Sequence, residues 1–589
     1  MRPWRRPKED IVPDAESPAE VASRRALEAM YACLEAGESF RLEAGAGAGK
    51  TYSLIKALRF LVERNQRILP RRSQKIACIT FTNVAKDEIA ARTDRNPLVF
   101  CETNHAFCWS LINGFQKSLR TLVEVMPTWQ ERIVEAGGSL GGRVIEYSLG
   151  HRSIREGRVS LHHDDILPLT ISLMDHAKFR RIVTDRFPII LVDEYQDTDA
   201  DWIEAIKTHF LGQPGSPLFG FFGDHWQKIY GNGCGKLEHP DVTEIGKEAN
   251  FRSVKTIVDC LNRMRPELRQ FVEDPAAVGR VRVFHTGNWT GQRQTGAHWG
   301  GDLPSPEGHD ALERVKANLV EDGWDLSPSD TKILMLTHRL LASEQGYSSL
   351  PATFRFKESF TKKEDAHIAF FVDELEPACD AFVARKYGAM FEALGGAVPL
   401  MRSHADKAFW NEAMTGLVAL RETGTVGQIV DYLRAQRRPR LPEAIEKRER
   451  DLRTFDRTAG IEMPPALAEL EKFREVPYVE VKALRSYLDG HSPFETKHGV
   501  KGAEFENVLV VIGRGWNQYN FGEMLELAGA QVVPAAKQAA FERNRNLFYV
   551  ACSRPKRRLA LLFTQQLSPM ALRTLEHWFG ADVIETLRL

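Results

Sequence analysis

Two α/β units built on parallel sheets, each interrupted by a helical insertion, are what this 589-residue chain predicts. Three observations carry the expectation. Short, uniformly apolar segments recur, of the kind buried on both faces of a parallel sheet. They alternate with stretches that are apolar at helical spacing, the pattern of doubly wound sheets. Chemically distinctive residues follow the ends of several such segments, and ligands of open parallel sheets bind at the carboxyl ends of the strands.

In chain order, Ala15–Gly37 alternates small, charged and apolar residues and reads as a helix leading to the strand Phe40–Glu43. The next eight residues, Ala44–Thr51, read Ala-Gly-Ala-Gly-Ala-Gly-Lys-Thr, and Tyr52–Leu58 behind them is apolar at helical spacing. Strand, glycine loop and helix form the setting of a phosphate-binding loop. Glycines let the backbone wrap an anion, and the helix N-terminus adds partial positive charge. Ala44, Gly45, Ala46, Gly47, Ala48 and Gly49 would form the cradle. Lys50 would reach the β- and γ-phosphates of a nucleoside triphosphate, and the Thr51 hydroxyl would sit on Mg²⁺. The pattern's usual first glycine is Ala44 here.

Lys75–Thr82 reads as a buried strand followed by the helix Val84–Arg92, and Leu98–Cys101 as a further short strand. Phe107–Ile182 is mostly helical and charged, with a glycine-rich break at Gly137–Gly142. Phe187–Val192 and Leu218–Phe222 are strands of the fully buried kind. The first runs into Asp193-Glu194 and the second into Gly223-Asp224. A second α/β region has strand candidates at Val281–Phe284, Lys332–Leu336, Asn507–Ile512 and Arg558–Phe563, with a Gly/Pro/Trp-rich loop at Gly287–Gly308. Between Leu340 and Pro477 the pattern is helical and charged. Within it, Arg434–Arg450 is rich in Lys and Arg, either a solvated helix face or a partner site.

Asp193 at its strand end could hold Mg²⁺, directly or through water. Glu194 beside it could take a proton from an attacking water. Composition limits the rest. Lys plus Arg and Asp plus Glu are 79 each, so the net charge is zero and any polyanion track must be local. The eight cysteines are scattered without metal-ligand spacing, which points to a reduced, cytoplasmic chain without a zinc or iron–sulfur module. The basic N-terminus has no apolar core of a signal peptide, and no run is long and apolar enough to cross a membrane.

Ala44–Thr51 together with Asp193–Thr198 resembles the superfamily 1 helicases of the UvrD/Rep/PcrA type. Further motifs follow in family order: Thr80-Phe81-Thr82-Asn83 with Ala85 and Glu88; His162–Leu167, similar to the family's Asp-Asp-Leu segment and so not a metal cluster; Gly223–Tyr230; Asn250-Phe251-Arg252-Ser253; Thr496–Phe505; and Leu547–Arg554. They cover nearly the whole chain.

This resemblance implies two RecA-like parallel-sheet core domains, each with a helical insertion. The expected boundaries are 1–110 and 185–248 for the first core, with insertion 111–184, and 249–345 and 478–589 for the second, with insertion 346–477. ATP and Mg²⁺ would bind between the cores. Gln227 would orient the attacking water or sense the γ-phosphate, Arg252 and Arg554 would act as arginine fingers, and Glu504 would touch the ribose. Phe81 and Tyr230 would stack on bases of single-stranded DNA, with Thr82, Asn83, His105 and His498 on phosphate or sugar.

Three departures from the family pattern stand out. No Gln precedes the loop between Ile11 and Arg41, so adenine selectivity should be weak. Gly231-Asn232-Gly233-Cys234 replaces an aromatic-Arg-Gly, with Trp226 a candidate substitute for the missing ring. Both insertions are short. The expected function is an ATP-dependent translocase or helicase on single-stranded DNA or a tailed duplex, of 3′-to-5′ polarity, in repair, recombination or antiviral defence. The alternative is an ATP-gated regulatory subunit working with a nuclease partner.

Overall fold

The computed structural model describes residues 16–147, 152–229, 231–296, 300–336, 346–355, 358–395, 403–456, 462–489, 494–495, 503–514, 519–530 and 532–589. Two six-stranded parallel sheets organise it. The first has the spatial order Val99–Thr103, Ile76–Thr80, Ile189–Asp193, Leu218–Gly223, Phe40–Ala44 and Thr243–Lys247. The second has the order Phe494–Glu495, Thr331–Met335, Phe505–Ile512, Pro555–Phe563, Arg280–His285 and Ile584–Thr586. Every neighbouring pair in both sheets runs parallel.

The central strands are the ones the sequence predicts, because uninterrupted apolar runs such as Ile-Ile-Leu-Val suit a strand covered on both faces. The edge strand Thr243–Lys247, Thr-Glu-Ile-Gly-Lys, carries no such run and escapes that reading. Pairing with Phe40–Ala44, from Phe40↔Thr243 to Ala44↔Lys247, makes it a strand. This is tertiary context overriding a weak local preference.

The first insertion departs from the helical expectation. Residues 111–184 include a three-stranded sheet of Val144–Tyr147, Arg158–Leu161 and Ser153–Arg155. The strands are three or four residues long, too short for periodicity to reveal. Its buried Leu119, Trp129, Ile145 and Val159 pack into one cluster with Ile79, Val192 and Phe221 of the main sheet. Asp165 of the His/Asp segment is bonded by the Arg152 guanidinium at 2.8–3.0 Å, so a cation already occupies that carboxylate.

The second insertion has its own core, drawn from residues 347–487. The helix Tyr478–Leu488 packs there through Tyr478, Val481, Leu484 and Tyr487, so the boundary expected at 477 falls one helix early. Part of the basic run inside it is turned on its own neighbours, while Arg437, Arg440, Lys447 and Arg450 are exposed. Arg434 meets Asp431, Glu446 and Glu449, and Arg448 lies 2.5 Å from Asp365. No described helix is long and apolar enough to cross a membrane.

Candidate functional site

The strand Phe40–Ala44 is buried throughout and delivers the glycine loop at its carboxyl end. Gly47 and Gly49 sit at φ 72° and 71°, left-handed values that a side chain would strain. The helix Lys50–Asn65 follows with Gly49 as N-cap and no side-chain cap, which leaves its first N–H groups to the loop. The segment that opens the second α/β unit clasps the back of the loop. Asn250 Nδ2 and Gln270 Nε2 donate to Ala46 O at 3.0 and 3.1 Å, and Phe251 N donates to Gly47 O at 2.9 Å.

Lys50 Nζ lies 2.5 Å from Glu194 Oε2. Burial works against the lysine's charge, but Glu194 and Asp193 outweigh it and raise its pKa. Glu194 itself has φ 50°. A non-glycine residue held there is a strained position of the kind found at functional sites. Gln196 ties this turn to the next strand: its Nε2 donates to Glu194 Oε2 at 2.5 Å, and its Oε1 accepts from Asp224 N at 3.1 Å. Thr51 on the first helical turn and the buried Asp193 carboxylate offer hard oxygen donors of the type Mg²⁺ takes.

A chain of bonds then crosses to the second core. Gln227 Nε2 donates to Asp224 Oδ2 at 2.7 Å, and Gln227 Oε1 accepts from Arg554 Nη2 at 3.2 Å. Burial first, then the nearby Arg252, pulls the Arg554 guanidinium down to about 9. Arg252 donates from Nε to Glu504 Oε2 at 3.2 Å and from Nη1 to Ser553 O at 3.1 Å. Its Cβ stands 2.8 Å from where a Cβ on Gly47 would be, so Arg252 lies against the loop. Lys50, Glu194, Gln227, Arg252, Glu504 and Arg554 are thus brought to one cleft.

Behind the cleft lies a group of residues that sequence reasoning missed. Arg265, 1% exposed, donates from Nη1 to Asp224 Oδ1 at 2.6 Å and from Nη2 to Glu43 Oε1 at 3.1 Å. Tyr195 Oη donates to Glu43 Oε2 at 2.6 Å, and His225 Nδ1 lies 2.6 Å from Glu43 Oε1. Burial pushes the Glu43 carboxyl up, yet His225, Arg265 and Tyr195 hold it at about 2. Glu43, Asp224 and His225 have metal-ligand proximity, but the Arg265 guanidinium is their cation. No local sequence signal marks Arg265, because its partners come from two distant strand ends.

Trp226 does not replace the missing base-stacking ring. It is 6% exposed and packed in the second core's cluster, with Arg545 at 3.8 Å and Arg265 at 5.3 Å from its ring centre. The Gly-Asn-Gly-Cys departure has a packing reason. A Cβ on Gly233 would stand 2.3 Å from Gln196 O, so only glycine lets this stretch lie on the turn after Glu194.

The expected nucleic-acid residues group at two adjacent strand ends, since Ile76–Thr80 and Val99–Thr103 are sheet neighbours. Phe81 is 39% exposed, beside exposed Thr82 and Asn83. Thr82 Oγ1 caps the helix Asn83–Arg92, accepting from Ala85 N at 3.2 Å. His105 stacks on His163 with ring centres 3.4 Å apart. Burial and then His163 lower its pKa to about 4, so it is neutral at pH 7. Tyr230 and His498 lie outside the described residues. Phe251, 38% exposed beside the loop, was not singled out by the sequence reading and offers a ring face at its outer edge.

Comparison with known proteins agrees with this architecture. A family profile described as an AAA domain matches residues 28–232. Gabija protein GajB of Bacillus cereus (strain HuB5-5) is 23% identical over 681 aligned positions, spanning 92% of this chain and 95% of that protein. ATP-dependent DNA helicase PcrA of Staphylococcus aureus is 22% identical over 276 positions, 38% of this chain and 37% of PcrA. ATP-dependent DNA helicase UvrD1 of Mycobacterium leprae is 24% identical over 299 positions, 39% and 38% of the two chains. With the motifs in family order, two parallel-sheet cores and these relatives, the chain is similar to the superfamily 1 helicases of the UvrD/Rep/PcrA type.

Proposed function

We propose that the chain is a DNA-dependent ATPase that steps along single-stranded DNA, with 3′-to-5′ polarity by family precedent. The observation that carries this is the chain of contacts from Lys50 and Glu194 through Gln196, Asp224 and Gln227 to Arg554 of the other core. A γ-phosphate arriving at the loop competes with Glu194 for Lys50. The carboxylate so released is the base for the attacking water. Arg252 and Arg554 then stabilise charge on the transferred phosphoryl group from across the cleft, coupling hydrolysis to closure. Thr51 and Asp193 would hold Mg²⁺, which neutralises phosphate charge when bound. Phe81, Thr82, Asn83 and His105 form the ledge on which the strand lies, stacking bases without sequence preference.

A second reading, an ATP-gated regulatory subunit of a nuclease-containing defence complex, is favoured by the neutral net charge. One preparation separates the two. The motor reading expects ATP turnover to rise steeply with single-stranded DNA alone, and dye displacement from a single strand. Turnover that stays flat until a second protein is added overturns it in favour of the regulatory reading. Little strand separation of a tailed duplex by the isolated chain is expected, since duplex opening costs about 1.4 kcal/mol per step, comparable with one stacking contact.

A further inference from the structure

Lys247 ends the edge strand Thr243–Lys247, in register with Ala44 at the mouth of the phosphate loop. The residue is 0% exposed. Its ammonium donates to Ser53 Oγ at 2.7 Å and to Gly49 O at 3.2 Å, and it faces the Tyr52 ring at 5.7 Å. It lies 3.6 Å from where a Cβ on Gly49 would stand. These contacts include no carboxylate. The acids on the surrounding elements are committed elsewhere or turned away. Glu244 of the same strand meets Arg41. Glu16 and Glu28, from the segment packed on this strand, meet Arg24, and Glu20 caps its helix at Ser17. Glu194 holds Lys50, Glu504 holds Arg252, and Glu248 next to Lys247 is exposed. The nearby cations are Lys50 and Lys56 on the loop helix, Lys56 lying over the same Tyr52 ring at 5.3 Å. Arg252 stands beyond Gly47.

A buried charge without an ion pair is expensive and is normally neutralised or matched. The Lys247 contacts lie on the turn Gly49–Ser53, at the end of the loop that would cradle a phosphate chain. We propose that Lys247 is a further cation of the nucleotide site, whose counter-charge is the phosphate chain held by Gly45–Thr51 and which meanwhile pins the turn Gly49–Ser53 to the edge strand. The inference rests on the reading of the loop as a nucleotide site. Burial lowers the Lys247 pKa to about 8, so the free protein begins to lose this charge just above neutrality. Bound phosphate raises it again. The linkage has one sign: affinity is full while Lys247 is charged in both states, falls as pH rises through about 8, and binding in that range takes up a proton.

The test is binding of ADP bearing a ribose-linked fluorophore, from neutral to alkaline pH, with adenosine as competitor. Wild type, Lys247→Met, Lys247→Arg and Lys50→Ala are compared. Lys247→Met should weaken ADP binding at neutral pH by about tenfold, the equivalent of one pK unit, and leave adenosine competition unchanged. Lys247→Arg should keep the neutral-pH affinity and remove the alkaline fall, because its charge persists. Wild-type ADP affinity in Lys247→Met, equal losses for adenosine and ADP, or an alkaline fall that survives in Lys247→Arg would each overturn the proposal. If Lys247→Met fails to fold, the pH profile of Lys247→Arg decides alone. Full ADP affinity in Lys50→Ala would instead remove the nucleotide-site reading beneath it.

Discussion

The proposed nucleotide cleft and the proposed nucleic-acid ledge are built in opposite ways on the same sheet. Directly behind the cleft, Glu43, Asp224 and Arg265 are nearly sealed from solvent, and Arg265 is bonded to both carboxylates. On the ledge, Phe81, Thr82 and Asn83 are exposed, and the Thr82 hydroxyl caps its own helix. The difference follows from the chemistry each region faces. Stabilising charge on a phosphoryl group needs donors fixed before reaction, in a site poor in water. Stacking on bases needs only an accessible ring, since every base has a π-face. Mutations in the cleft should therefore act on rate and those on the ledge on grip, with effects of different size.

The largest effect should come from the cleft's far wall. Arg554→Ala should lower DNA-stimulated ATP turnover on the order of 10³-fold or more while the thermal melt stays cooperative. Turnover within a few-fold of wild type would mean that Arg554 only braces Gln227. Glu194→Gln should come next, with turnover down about 10²–10⁴-fold and nucleotide binding kept. A variant that hydrolyses ATP normally would remove the general-base assignment. On the ledge, Phe81→Ala should weaken single-strand affinity by roughly 1–3 kcal/mol, read as a raised DNA concentration for half-maximal ATPase. If affinity is unmoved, the ring is part of the fold and not of the track. The smallest effect concerns the base. Without the upstream Gln, ATP and GTP should be hydrolysed at similar rates, because discrimination depends on leaving buried polar groups unpaired on the wrong ligand. A strong preference for ATP would point to a reader that sequence inspection missed.

The two insertions sharpen the contrast between what is local and what is not. The second reads as helical because its helices are long and periodic, such as His404–Thr423. The first hides three short strands that have no period of their own and exist through pairing with one another.

The sequence by itself determined the parallel-sheet cores, the phosphate loop and the acidic strand end, because each is written in contiguous residues whose spacing has a direct physical meaning. It also placed the cleft arginines by motif. Only the tertiary structure decided that Trp226 is a buried plug between the cores, that Arg265 is the cation of Glu43 and Asp224, and that Lys247 stands uncompensated behind the loop. Burial and charge pairing depend on which distant segments meet. Arg265 and Glu43 are far apart in sequence, and no pattern within either segment announces the other.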